Sequence, residues 1–185
     1  MGEIRLPCPV KLIVGILAKD RELLALAKAG LVKVFGRMDV ESAEVPFRFT
    51  DYYAEEIGEG LLRQWVGFES LIMPDGLAGI KLKTNLMEQE WTHEGRRQVN
   101  LDPGWVNDSR LILATTKDFS HRIYLGSGIY AETTLIYKGE AFRALDWTYP
   151  DYKSETATEF LNQARALYMA RIENYPDVKG RATQA

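Results

Sequence analysis

The densest group of ionisable side chains lies between positions 121 and 132. His121, Arg122 and Tyr124 fall in one short run, and Tyr130 and Glu132 fall in the next. Side chains alternate along an extended chain, so Arg122 and Tyr124 share one face and His121 takes the other. Tyr130 and Glu132 share a face in the same way. If that face lines a cleft, Arg122 can grip phosphate or carboxylate with two parallel bonds, and Glu132 can act as general base or metal ligand. His121 can titrate near neutrality. If it lies on a sheet, the same arginine and glutamate are ordinary cross-strand support. The spacing leaves both readings open.

Four further groups carry chemistry. Lys81, Asn85 and Glu88 stand at i, i+4 and i+7, where helical side chains can touch. The lysine can bind a phosphate, or the line can be a solvated helix flank. Asn100 and Asp102 precede Pro103-Gly104, a sequence that makes a tight turn and can aim a carboxylate at a ligand. Asp51, Tyr52 and Tyr53 offer an acid and two phenols to a metal or a sugar hydroxyl, or else a helix cap with aromatics over a sheet edge. Trp147-Thr148-Tyr149-Pro150-Asp151-Tyr152 can stack on a base, and reads better as a seal over the sheet before the last helix.

These groups predict a pocket for a small anionic ligand, phosphorylated or nucleotide-like. In it Lys81 and Arg122 neutralise the anion, Asn85, Tyr124, Tyr130 and Asp51 add contacts, and His121, Glu132 and Asp102 are the catalytic candidates. Glu132 or Asp102 would bind a metal or act as base, and His121 would move the proton. Two histidines and one cysteine exclude a multi-histidine or cysteine-based metal centre. Mg²⁺ held by Asp51, Asp102 and Glu132 is the carboxylate arrangement left, with no spacing rule behind it. The cofactor is otherwise unknown. The competing reading is a non-catalytic interaction or scaffold protein, in which the same residues are sheet-face ion pairs.

The elements that must position these residues follow from periodicity. Val10 to Ala18 is a short apolar, β-branched run and predicts a buried strand. Asp20 caps a helix whose apolar positions include Leu24, Ala27 and Leu31, with Gly36 at its end. Strands are expected at Val45 to Thr50 and at Leu61 to Leu71, the latter with a bulge at Gly67. A second helix begins near Pro74 and buries Leu77, Ile80, Thr84, Met87 and Trp91. Arg97 to Leu101 is a strand ended by the Asp102-Pro103-Gly104 turn, and Arg110 to Thr116 and His121 to Leu125 flank a short link as in a hairpin. Ile129 to Tyr137 is a long strand, which Phe142 to Tyr149 can join. Ser154 caps a final helix with Phe160, Leu161, Ala164, Leu167 and Tyr168 inward. The fold class is α+β. Its core is a ferredoxin-like β-α-β-β-α-β unit with helices on one face of a mostly antiparallel sheet, extended by C-terminal hairpins and a final helix.

Composition bounds the function. The 185 residues suit one domain, 1–185, with a core over about 9–173 and a polar tail over about 176–185. A net charge of −3 and scattered basic residues argue against a nucleic-acid partner, which needs clustered positive charge. The apolar run Leu12 to Ala18 is far shorter than the ~20 residues of a membrane span. No secretory pattern precedes it, and the lone Cys8 suits a reducing compartment. A cytoplasmic protein with no membrane partner is expected; the oligomeric state stays open.

Several longer phrases occur in order: PVKLIVGILA, FTDYYAEEIG, FESLI followed by GIKLKTN, VNLDPGWV, LATTKDFSHRIYLGSGIYAETTL and WTYPDY. From about Pro9 to about Tyr152 the chain resembles an uncharacterised bacterial family catalogued as domain of unknown function 4416. Its members sometimes carry the label "GTP-binding protein". The residues do not support that label. No Gly-Lys-Ser/Thr follows a glycine-rich turn to cradle phosphates, and Thr116-Lys117-Asp118 lacks the spacer of a guanine-selecting string. Ordinary P-loop GTPase activity is not expected. Neither a Gly-x-Ser-x-Gly elbow nor a dinucleotide-binding Gly-x-Gly-x-x-Gly is present.

Overall fold

The computed structural model describes residues 4, 6–49, 57, 60–173 and 175. The chain runs β1 (Val10–Ala18), α1 (Arg21–Phe35), β2 (Met38–Glu41), β3 (Val45–Pro46), β4 (Leu62–Ile72) and α2 (Leu77–Glu90). It continues through β5 (Thr92–His93), β6 (Arg96–Arg97), β7 (Val99–Val106), β8 (Arg110–Thr115), β9 (Arg122–Gly126), β10 (Ile129–Lys138), β11 (Ala141–Ala144) and α3 (Glu155–Ile172). Single 3-10 turns at Pro74–Gly76 and Pro150–Lys153 lead into α2 and α3. The fold is α+β. One sheet has the order β11-β10-β8-β7-β1-β4-β2, with β3 added to β4 and β9 to β10. Its pairings among the described residues are antiparallel.

Central strand β1 is buried along all nine residues, and its alternation feeds two cores. Leu12, Val14, Ile16 and Ala18 meet Leu24, Ala27 and Leu31 of α1 and Ile80 and Met87 of α2. Ile13 points the other way, into Trp65, Leu111, Leu113 and the α3 residues Phe160, Leu161 and Ala164. The first two helices therefore share a face, and α3 covers the opposite one. An arrangement with every helix on one face fails because a strand that is apolar on both sides needs cover on both. The caps follow from local chemistry: Asp20 Oδ1 accepts from the Leu23 N–H at 2.9 Å, and Ser154 Oγ accepts from the Ala157 N–H at 3.2 Å. In α3, Tyr168 is buried and Leu167 is exposed, outside the inner stripe expected for it.

Four expected elements differ. Phe142 to Tyr149 joins β10 only through β11, which ends at Ala144. Of the strand expected over Val45 to Thr50, the described residues 45–49 contribute only the two-residue β3, and the sheet edge beyond β4 is β2, whose Asp39 pairs with buried Lys11. Strands β8 and β9 do not form a hairpin, because β10 lies between them and pairs with both. Asp102-Pro103-Gly104 is not a turn but the middle of β7.

That last difference shapes the molecule. Strand β7 follows β1 along its whole length, from Ala18 opposite Val99 to Lys11 opposite Val106. Strand β8 accompanies β7 only from Gly104 to Val106. Alternate residues of a strand present N–H and C=O to the same edge, so Leu101, Pro103 and Trp105 face the β8 side. Pro103 has no N–H to offer there, and the ladder ends. At the last shared rung a Cβ on Gly104 would collide with the Ile112 carbonyl oxygen and the Leu113 side chain, so glycine permits the close approach. Beyond it the two strands part.

Candidate functional site

The parting of β7 and β8 opens a cleft of about 970 Å³. Lys81, Asn85 and Glu88 of α2 line one side, and Thr115 to Phe119 line the end of β8 and the link beyond. Arg63 of β4, Asp102 of β7 and Asp151 and Tyr152 of the last 3-10 turn make the floor. Arg122 and Glu132 form the far wall.

The α2 side closes the backbone edge that β8 abandons. Lys81 Nζ donates to the Leu101 carbonyl at 2.7 Å, and Glu88 Oε1 accepts from the Leu101 N–H at 2.8 Å. The same carboxylate lies 3.7 Å from Lys81 Nζ and receives Arg97 Nη1 on its other oxygen. Two side chains at i and i+7 thus imitate a missing strand, which satisfies groups that would be costly to bury alone. Lys81 and Glu88 are buried, while Asn85 between them is half-buried and faces the cleft.

The far wall is a saturated cluster. Glu132 is 1% exposed. Its Oε2 receives Arg122 Nε at 3.0 Å and Nη2 at 2.9 Å, and its Oε1 accepts from Thr134 Oγ1 at 3.2 Å. His121 Nε2 lies 3.0 Å from Oε2 and, facing an acceptor, carries the proton. The His121 ring stacks on Trp147 at 4.7 Å, behind the wall rather than in the cleft. Arg122 also donates to the Lys117 carbonyl and to the Tyr149 hydroxyl. Burial and the charge of Glu132 push the Tyr149 phenol up to about 12, against the pull of Arg122.

The floor is different. Arg63 Nη1 donates to Asp102 Oδ2 at 3.0 Å, and Nη2 lies 2.9 Å from Asp151 Oδ2. Its guanidinium packs 4.9 Å from the Trp65 ring centroid and 5.3 Å from that of Tyr152. Burial opposes its charge, but Asp151, Tyr152 and Asp102 outweigh that and raise its pKa. Burial opposes the charge of Asp102 as well, yet Arg63, Lys81 and a 2.9 Å bond from Asn100 hold its carboxyl below the usual range. Asp151 goes the other way: burial, helped by Asp102, raises it despite Arg63. Arg63 Nε and the Tyr152 hydroxyl are buried with no acceptor for their protons, the Trp65 indole N–H beside the phenol being itself a donor.

Residues 8–168 match the family model described as Domain of unknown function (DUF4416). The chain belongs to that family. Comparison with curated proteins and with solved structures gave no match. Among the described residues, no helix of this DUF4416 chain is long and apolar enough to cross a membrane.

Of the residues singled out from sequence, Lys81, Asn85, Asp102, Arg122 and Glu132 line the one cleft, brought there by α2, β7, β9 and β10. His121 stands behind Glu132. Tyr124 and Tyr130 form a cross-strand pair with rings 5.2 Å apart and are not among the lining residues. Asp51, Tyr52 and Tyr53 lie outside the described residues. Among the described residues no three His, Cys, Asp or Glu side chains group as a metal site. Asp102 and Glu132 each hold an arginine where a cation would sit. Glu88 joins the lining residues, as do Tyr149, Asp151 and Tyr152, whose phrase reads better as a seal over the sheet; Arg63 and Arg97 also line the cleft and were not expected there. One sign was legible: Arg63 and Gln64 interrupt a run that is otherwise apolar, and a charge inside a buried strand demands a partner.

Proposed function

We propose that the cleft binds a small ligand bearing an anionic group, phosphorylated or nucleotide-like. The observation that carries this reading is the convergence of charged side chains from seven separate elements on one opening of about 970 Å³, a volume usual for small-molecule sites. Phe47, Phe49, Phe119 and Tyr149 line the same opening. Phe49, Phe119 and Tyr149 are exposed and can stack on a planar ring. The lining holds Arg63, Lys81, Arg97, Lys117 and Arg122 against Glu88, Asp102, Asp118, Glu132 and Asp151. Five charges of each sign favour a ligand of low charge over a triphosphate. Hydrolytic or transfer chemistry would fall to Asp102, the floor carboxylate whose side chain is 26% exposed, rather than to the enclosed Glu132.

The strand order β7-β1-β4-β2, with α1 and α2 on one face, supports reading β1-α1-β2-β4-α2-β7 as a ferredoxin-like core. The low net charge and single cysteine support a cytoplasmic protein without nucleic-acid or membrane partners. One observation favours the scaffold reading instead. Edge strand β9 exposes Ile123, Tyr124 and Leu125 in succession, as a strand awaiting a partner would.

A thermal-shift screen with nucleoside mono- and triphosphates, sugar phosphates and Mg²⁺ separates the two. A ligand at a hundredfold its dissociation constant adds about 2.7 kcal/mol to the native state. Asn85→Ala, which removes a half-buried lining side chain, should reduce the shift. A flat screen with co-purification of one protein would favour the scaffold.

A further inference from the structure

We propose that Arg63 is the anion-binding residue at the floor of the cleft, and that Asp151 holds its place as a built-in anion which yields to the ligand's phosphoryl or carboxyl group. This rests on the cleft being a ligand site. The arrangement is a count of charges first: one guanidinium, 2% exposed, faces two carboxylates at 3.0 and 2.9 Å. Like charges that share one partner repel, and the site is relieved when one of them is neutralised. The two are not equally held. Asp102 has Asn100 on its second oxygen and Lys81 nearby. Asp151 has Arg63 and the backbone of its own short turn.

The other ionisable groups facing it are Asp102 from β7 and Tyr152 and Tyr149 from the same turn. Through Tyr149 come Arg122 of β9 and Glu132 of β10. None of these adds a second cation in direct contact with Asp151 comparable to Arg63. As the ligand's anion takes the guanidinium, Asp151 takes one proton from solvent, so a singly charged anion leaves the charge at the floor unchanged and a dianion such as sulfate adds one negative charge there.

Two donors stand ready for the anion's remaining oxygens. The Arg63 Nε–H and the Tyr152 O–H have no acceptor, since the Trp65 indole beside the phenol can only donate to it, and both side chains are more than nine-tenths buried in the floor. Gly15 gives these two side chains their place against β1: a Cβ there would lie 2.7 Å from the Tyr152 hydroxyl and 2.8 Å from Arg63 Nη2.

Sulfate is a suitable probe because its charge does not change across the range used, about pH 5 to pH 8. Calorimetric titration of the full chain should show a dissociation constant that rises about tenfold per pH unit once Asp151 is ionised, with one proton taken up on binding. Asp151→Asn should bind sulfate independently of pH and more tightly than the native chain at pH 8. Tyr152→Phe should weaken binding and keep the pH slope. Should Asp151→Asn not fold, the proton uptake of the native chain and the Tyr152→Phe variant decide alone. Sulfate binding without proton uptake, or an Asp151→Asn variant no tighter than the native chain at pH 8, overturns the role of Asp151. If nucleotides or sugar phosphates still bind, the cleft reading survives that result. No binding of sulfate or of any screened ligand overturns both.

Discussion

The wall and the floor of the cleft are both built from arginine and carboxylate, and they are finished to different degrees. At the wall, one carboxylate receives two nitrogens of Arg122, one of His121 and the hydroxyl of Thr134. At the floor, two carboxylates share Arg63, and a phenol and an arginine nitrogen beside them have no acceptor for their protons. Burying a charge is tolerable when its partners are complete, and a complete cluster has little left to give a ligand. Density of ionisable residues along the chain therefore points to where charge is buried. Incomplete bonding points to where something can bind.

The largest expected effect tests the wall. Glu132→Ala strands Arg122 and His121 without their carboxylate, a change that costs about 3–5 kcal/mol when a buried pair is broken. Asp102→Ala should cost clearly less, because Asp102 is a quarter exposed and Arg63 keeps Asp151. Urea denaturation of both variants checks the contrast, and equal losses would end it. The next effect concerns the split that makes the cleft. Gly104→Ala drives a methyl group into the Ile112 carbonyl and should destabilise by about 1–3 kcal/mol, as overpacking does. Gly79→Ala in α2 meets nothing within 4 Å and should be neutral or stabilising by up to about 1 kcal/mol.

A smaller change probes the imitation strand. Glu88→Gln keeps an acceptor for the Leu101 N–H and removes the charge that Lys81 and Arg97 share. A loss of about 1–2 kcal/mol is expected. In Glu88→Ala, which removes that acceptor as well, hydrogen exchange should quicken at the Leu101 amide. Unchanged exchange there would mean that this edge is protected by something other than α2.

Elements written in local pattern were legible. The β-branched run of β1, the Asp20 and Ser154 caps and the apolar stripe of α2 are each decided by neighbours within a few residues. What was not legible depends on non-local pairing. Asp102-Pro103-Gly104 has turn chemistry, but β1 holds it extended along eight residues, and the proline then ends the pairing with β8. The same holds for the site. Lys81 and Glu88 look like a solvated flank until β8 leaves an edge for them to fill. Tyr124 and Tyr130 look like partners of Arg122 and Glu132, yet they lie nearer the turn that joins β9 to β10, away from the cleft. Asp151 sat in an aromatic phrase that read as a seal, and only Arg63, far off in sequence, gives its carboxyl a role.

The smallest effect is a dependence of stability on pH, and it separates the two floor carboxylates. Asp151 is raised by burial in the folded chain, so the native state holds that proton more tightly than the unfolded state does. Its contribution is complete below the ordinary aspartate value near 3.9 and is lost as pH rises through the raised value. Asp102 is opposed by burial but held down by Arg63 and Lys81, so its contribution is present above the ordinary value and lost as pH falls through the lowered one. Native stability should then be greatest in weakly acid solution, between those two losses. Asp151→Asn should flatten the fall toward neutral pH and leave the acid limb, whereas Asp102→Asn should soften the acid limb alone. Glu69, kept low by its bond to Arg171, also acts on the acid limb but equally in every variant, so it cancels in the comparison. Thermal midpoints measured across the range decide the matter. If Asp151→Asn tracks the native chain at every pH, the two carboxylates are equivalent, and the difference between wall and floor reduces to exposure.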